Sequence, residues 1–139
     1  MKIAIASGML AAGMLIGVGT ATAHHSFTAE FDSKKPVVLK GVVTKVEWTN
    51  PHVWIYLNVK DDSGKMTNWG AELGPPHGLQ GRGWRRNTLE IGTEITVDGF
   101  LAKNGTSRVN ARTVSLAATG GRPGEKLDAA SSSGNKEEQ

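Results

Sequence analysis

The sequence predicts an all-β protein, and more specifically a small five-stranded OB-like barrel with a short helix or loop between strands 3 and 4. Three observations carry this prediction. Apolar residues alternate with polar ones along several short runs, which is typical of half-buried strands. Turn-forming residues separate these runs. The runs come as three strands, one irregular segment and a final pair, which is the order of elements in an OB barrel. Another small barrel or an open sandwich is the alternative.

The first three predicted strands follow one another with short connections. The first covers residues 37–48 and is rich in β-branched residues, but it contains Gly41, where we expect a bulge or a bend. The second covers residues 53–60, and its apolar and polar side chains alternate throughout. A turn at residues 61–64 leads into the third strand, residues 67–73. These three strands are expected to form an antiparallel meander.

The segment 74–87 interrupts the alternation. Pro75 or Pro76 can start a short helix, but the glycines that follow weaken it, so we expect at most two helical turns. The alternation then returns in residues 94–101 and 109–116, and an Asn-Gly pair lies between these two runs. They predict a closing hairpin.

The N-terminus has the pattern of a secretory signal peptide. Residues 1–23 combine the basic Lys2, an uncharged apolar stretch and the small residues Ala21-Thr22-Ala23. The apolar stretch is short and glycine-containing for a membrane anchor. We therefore predict cleavage after Ala23, a periplasmic or secreted protein, and no transmembrane segment after cleavage.

The remaining chain is predicted to be one domain with two appendages. Residues 24–116 form the OB-like domain, in which residues 24–36 are an N-terminal arm, and residues 117–139 form a disordered tail. The tail has almost no large apolar side chains, so it is expected to bury too little surface to offset the entropy of ordering. The chain has no cysteine, which excludes disulfides and thiolate chemistry. Its formal charge of +3 does not by itself favour nucleic acid, and no nucleic-acid partner is predicted.

Three sequence blocks resemble a known family. These are His24–Phe27, Val46–Ile55 with its Trp-Thr-Asn-Pro-His core, and Gly83–Leu89. The blocks are similar to those of small exported bacterial proteins described only as a domain of unknown function. The resemblance implies export and a small β domain, and it implies no catalytic residues.

Four histidines are the candidates for a metal site. Cleavage after Ala23 would give His24 a free amine next to its imidazole, a chelating pair that suits Cu(II). His25, His52 and His77 are the candidates for a further nitrogen ligand. The spacing of the histidines is not that of a zinc site. Copper is therefore the one cofactor that the sequence suggests, with a flexible His-His arm as the alternative.

A second cluster of candidates is aromatic and basic. Trp54 and Tyr56 alternate with the apolar residues of the second strand, so they are expected on the outer surface. Trp84 is followed by Arg85 and Arg86 in the irregular segment. Aromatic side chains on this face of OB barrels stack on ligands, so these five residues are the predicted contacts for an unknown protein or small-molecule ligand. The alternative is that three tryptophans fill the ends of the barrel: Trp48, Trp69 and Trp84.

No enzyme class is predicted. No serine lies in a nucleophile elbow, and the carboxylates have no partner that the sequence can place. The leading hypothesis is a periplasmic, non-enzymatic OB-like binding module. The alternative is a copper-binding protein that uses the mature N-terminal histidine.

Overall fold

The structure is a computed structural model that describes residues 27–121 and 123–130. The strands are, in chain order, β1 (Phe31–Glu47), β2 (Trp54–Lys60), β3 (Met66–Glu72), β4 (Glu94–Ala102), β5 (Arg108–Leu116) and β6 (Glu125–Asp128). One short helix, α1 (Pro76–Gln80), lies between β3 and β4, and residues 27–30 are helical ahead of β1. Within these residues no helix has the length and apolar character needed to cross a membrane.

Five of the strands form a closed ring. β1 pairs antiparallel with β2 and with β4, β2 pairs with β3, and β4 pairs with β5. A parallel pairing of β3 with β5 closes the ring. The ring order is therefore β1-β2-β3-β5-β4, with α1 between β3 and β4, as in an OB barrel. The predicted all-β, OB-like fold is confirmed.

Two glycines allow the strands of the ring to approach closely. A Cβ atom on Gly41 would collide with the backbone carbonyl of Asn58, and one on Gly99 would collide with that of Asn110. The predicted irregularity in β1 is present, but the register shifts between Val43 and Lys45, after the glycine. Gly41 itself pairs with both neighbouring strands, so its role is close backbone approach rather than the bulge.

The barrel interior is filled by the inward side chains of every strand in the ring. In β2, Ile55 and Leu57 are fully buried, and in β5 Val109 and Ala111 are fully buried. In β2, Trp54 and Tyr56 alternate with these buried residues and point outward, as the period of two along a strand requires. This alternation places the candidate side chains of β2 on the outside.

The prediction that residues 117–139 form a disordered tail is wrong for the middle part of this segment. Residues 125–128 form β6, which extends the sheet along the second half of β5. Leu127 and Ala129 are buried, and the amide of Ala129 donates to the carbonyl of Arg112 at 2.8 Å. Composition alone missed this strand because backbone pairing on an open sheet edge, together with one buried leucine, is sufficient to order a short segment. Residues 131–139 lie outside the described part of the chain.

The N-terminal arm is docked on the barrel from Phe27 onward. Phe27 stacks on Phe31 with ring centroids 6.0 Å apart and meets Phe100 edge-on at 5.9 Å. All three rings are buried in a cluster separate from the barrel core. The first strand begins at Phe31 rather than at residue 37, because the arm pairs with β4 as it passes.

Candidate functional site

Trp54 and Tyr56 lie side by side on the outer face of β2. Their ring centroids are 6.4 Å apart and the ring planes differ by 23°. Both side chains are half-buried, whereas the intervening Ile55 is fully buried in the core. The predicted outward orientation of these two aromatic residues is therefore what the structure shows.

Both rings rest against Gly70 in the neighbouring strand. Gly70 is the cross-strand partner of Tyr56, and a Cβ atom built on it would lie 3.5 Å from an atom of each ring. The aromatic rings therefore lie directly over the backbone of β3 at this position. We call Trp54, Tyr56 and Gly70 the aromatic ledge.

A cation lies over each ring of the aromatic ledge. The ammonium group of Lys45 is 5.5 Å from the ring centroid of Tyr56, and the guanidinium carbon of Arg108 is 4.4 Å from that of Trp54. Both distances are within the range of cation–π attraction. Lys45 comes from β1 and Arg108 from β5, so the surface crosses four strands of the ring.

Glu47 neutralises the Lys45 end of this surface. Its carboxylate forms an ion pair with the Lys45 ammonium group and accepts a hydrogen bond of 3.2 Å from the Tyr56 hydroxyl. The hydrogen bond from Lys45 lowers the pKa of Glu47, and burial together with the nearby Glu47 carboxylate raises the pKa of Tyr56. Tyr56 therefore stays a neutral hydrogen-bond donor.

A buried carboxylate adjoins the aromatic ledge on the other side. Glu72 is the cross-strand partner of Trp54 and, in the parallel pairing, of Asn110. Glu72 is 7% exposed and Asn110 is 4% exposed. The imidazole Nδ1 of His52 contacts the Glu72 carboxylate, and burial raises the pKa of Glu72 in spite of that partner. The site thus combines flat aromatic surface with groups of both charges, which is the composition of many ligand sites.

Trp84 lies in the interior and not on the binding surface. Sequence reasoning placed it on the binding surface, but its side chain is only 1% exposed. Its indole N–H donates to the carbonyl of Asp128 at 2.8 Å, so the ring packs between the barrel end and β6. The sequence alone could not show this because the partner strand had been assigned to the tail. A buried indole with a satisfied donor is a structural element.

The two arginines after Trp84 are separate from the aromatic ledge. Arg85 is exposed, and its guanidinium donates to the carbonyls of Gln80 and Trp84 within its own loop. Arg86 is exposed and, with Arg85, borders inward-facing residues at one end of the barrel. No described ring contact or ion pair joins either arginine to Trp54 or Tyr56.

The other tryptophans belong to the core, as the alternative interpretation held. Trp48 is buried, and Trp69 is half-buried and packs against the core cluster. Trp54 is thus the tryptophan that faces outward on the barrel wall.

The histidines of the copper hypothesis are not brought together in the described part of the chain. His24 and His25 lie outside it, His52 is paired with Glu72, and His77 is exposed on α1. Among residues 27–121 and 123–130, no three histidine, aspartate or glutamate side chains form a group suited to a metal ion. Copper binding stays a prediction.

Sequence reasoning missed Arg108, Lys45, Glu72 and Gly70. Lys45 and Gly70 can be placed beside Tyr56 only when the registers of the strand pairs are known. Arg108 reaches Trp54 because β3 and β5 pair in parallel, with Gly70 opposite Arg108. A pairing across nearly 40 residues leaves no local signal in the sequence.

Fold and surface together define the class of this protein: a small OB-like β-barrel with an outward-facing aromatic and cationic surface. The chain belongs to the family described as "Family of unknown function (DUF6152)", whose model matches residues 13–111. The match confirms the resemblance that the three sequence blocks predict, and it ends within β5, before β6. No curated protein matches the chain.

Proposed function

We propose that this protein is an exported, non-enzymatic binding module that receives a small ligand or a partner protein on the aromatic ledge. The observation that carries the proposal is the pair of stacked, half-exposed rings of Trp54 and Tyr56, each with a cation over it. Aromatic side chains with a polar surround are the usual anchors of binding surfaces. The outer face of strands 2 and 3 is also where OB barrels bind their ligands.

The arrangement of the aromatic ledge supports binding over a purely structural role. The barrel core is complete without these rings, because the inward residues of β2 are already fully buried. Trp84 shows how this chain treats a structural tryptophan: it is buried and its N–H is bonded. Trp54 instead keeps part of its ring surface accessible beside polar groups.

Export rests on the signal-peptide pattern of residues 1–23. Expression in a bacterial host followed by mass spectrometry of the intact protein tests it. We expect a periplasmic fraction whose mass corresponds to a chain that starts at His24. Full-length protein found only in the cytoplasmic fraction would contradict export.

The binding role is tested by a double substitution on the aromatic ledge. Trp54→Ala with Tyr56→Ala removes both rings and leaves the core residues of β2 in place. Val38→Ala is the matched control, because Val38 is 65% exposed on the outside of β1, away from the aromatic ledge. Protein purified from exporting cells is examined by native mass spectrometry for bound molecules.

The expected result is a bound species that accompanies the wild-type protein and Val38→Ala and is lost from the double variant. Circular dichroism shows that the double variant is folded before it is compared. The same bound species on all three proteins would show that binding does not use the aromatic ledge and would overturn the proposal.

A further inference from the structure

Arg108 lies where the aromatic ledge opens into a cleft. The cleft has a volume of about 310 Å³ and lies between the N-terminal arm and the β4–β5 hairpin. Its charged and polar lining comes from Glu30, Lys103, Asn104 and Arg108. Arg108 is therefore shared between the cleft and the ring of Trp54.

Arg108 differs from the other cation of this surface in forming no direct ion pair within the described residues, and the Glu72 carboxylate attracts it only from beyond ion-pair distance. Lys45 is paired with Glu47. For the Arg108 side chain, by contrast, no carboxylate within ion-pair distance and no hydrogen-bond acceptor is found in the described part of the chain. Its guanidinium carbon lies over the ring of Trp54, 4.4 Å from the ring centroid. The N–H donors of the guanidinium thus remain available to a ligand.

The contact with Trp54 also limits the freedom of the guanidinium. A planar guanidinium that lies over an aromatic ring keeps its N–H donors at its edge, in the plane of the group. That fork matches the two oxygens of a carboxylate or a phosphate, which it binds through two parallel hydrogen bonds. Because the contact with Trp54 already limits the motion of the guanidinium, less side-chain entropy is lost when the ligand binds.

The cleft is preformed by hydrogen bonds across its walls. The amide of Lys103 donates to the carbonyl of Glu30 at 2.8 Å, and the Lys103 ammonium group donates to the carbonyl of Thr28. These bonds tie the N-terminal arm to the β4–β5 hairpin. Of the ionisable groups that line the cleft, Arg108 and Lys103 are cationic and Glu30 is anionic, so the lining carries a net positive charge.

We infer that Arg108 binds the anionic group, a carboxylate or a phosphate, of the ligand that the aromatic ledge receives. The inference rests on the proposed function and adds two things to it: the ligand is anionic, and Arg108 is the residue that binds the anionic group. The apolar part of such a ligand lies along Trp54 and Tyr56, and its acidic group enters the mouth of the cleft.

Nuclear magnetic resonance titrations test the inference with defined probes. Nitrogen-15-labelled protein is titrated with inorganic phosphate and, separately, with succinate, against sodium chloride at matched ionic strength. We expect saturable shifts of the Trp54 indole N–H and of the Arg108 Nε–H with at least one of the two probes. The probe that saturates at lower concentration tells whether the ligand carries a phosphate or a carboxylate.

Three variants test whether Arg108 is responsible for the saturable shifts. Arg108→Ala is expected to abolish saturation, and Arg108→Lys is expected to weaken it about tenfold, because lysine keeps the charge but loses the fork. Lys126→Ala removes one positive charge from the exposed face of β6 and is expected to bind as wild type does. The spectra themselves report whether each variant is folded.

Shifts that never saturate, or that persist unchanged in Arg108→Ala, would overturn the anion site. The proposed function has an independent readout in the molecules lost from the Trp54 and Tyr56 double variant. If that loss is observed while phosphate and succinate fail, the binding surface stands and only the anionic class of its ligand is wrong. If the double variant loses nothing, the proposed function fails first.

Discussion

Trp84 is a single residue that stabilises one end of the barrel. Trp84→Phe keeps most of the packing but removes the indole donor to the carbonyl of Asp128. Losing this partly buried hydrogen bond is expected to lower the free energy of unfolding by about 1–2 kcal/mol. Urea unfolding measures it.

Trp69→Phe is the matched control for that substitution. Trp69 is half-buried, and in the described part of the chain its indole N–H has no hydrogen-bond partner. Its replacement is expected to change stability by less than about 1 kcal/mol. Equal losses in the two variants would mean that the Trp84 hydrogen bond contributes nothing.

The burial of Glu72 makes the stability of the fold decrease as the pH rises. Burial raises its pKa above the ordinary value of 4.5, so the folded carboxyl holds its proton to higher pH than the unfolded one. Its contribution to stability is complete below that ordinary value and is lost as the pH rises through the folded value. Glu72→Gln removes this loss.

We expect the melting temperature of Glu72→Gln, relative to that of wild type, to increase as the pH rises from acidic to neutral. Thermal unfolding followed by circular dichroism at a series of pH values measures this difference. Glu125→Gln, on the exposed surface of β6, is the control and is expected to show a constant difference. A constant difference for Glu72→Gln as well would contradict the assigned role of burial.

At the scale of elements, close packing of strands depends on glycine at two positions. Gly41→Ala and Gly99→Ala each place a Cβ atom against a backbone carbonyl that cannot move without breaking a strand pairing. Each is expected to destabilise the fold by about 3 kcal/mol or more. Gly70→Ala is the control, since its Cβ would meet the rings at an ordinary 3.5 Å, and it is expected to stay within about 1 kcal/mol of wild type. Similar urea midpoints for all three variants would contradict this account.

The sixth strand is predicted to stabilise the barrel although it lies outside the ring. A chain that ends at Gly124 loses the burial of Leu127 and the acceptor of the Trp84 indole. A loss of at least about 2 kcal/mol is expected, with a red shift of tryptophan fluorescence. A chain that ends at Ala130 keeps β6 and serves as the control. Unchanged stability without β6 would show that its pairing is incidental.

At the scale of the whole molecule, the sequence predicted what depends on local alternation. The period of two in β2 was sufficient to place Trp54 and Tyr56 outside, and the order of strands and helix was sufficient to predict the barrel. Contacts between distant segments left no such pattern. Trp84 is buried by a strand more than 40 residues away, and Arg108 reaches Trp54 across a parallel pairing that closes the ring.

The composition rule failed at β6 for a related reason. Low apolar content argues against an independent fold, but β6 folds onto an edge that β5 already presents. One buried leucine and four residues of backbone pairing then suffice. Segments of this kind can be predicted only once the sheet they join is known.

The central claim is that the aromatic ledge is the binding surface, and photocrosslinking in living cells tests it most directly. A benzophenone amino acid replaces Asn58, which follows Trp54 and Tyr56 on the outer face of β2, or replaces Val38 as the control position. The account predicts a crosslinked ligand or partner from position 58, none from position 38, and loss of the crosslink when Trp54 and Tyr56 are alanine. A crosslink that forms equally from both positions, or that survives the loss of both rings, would contradict it.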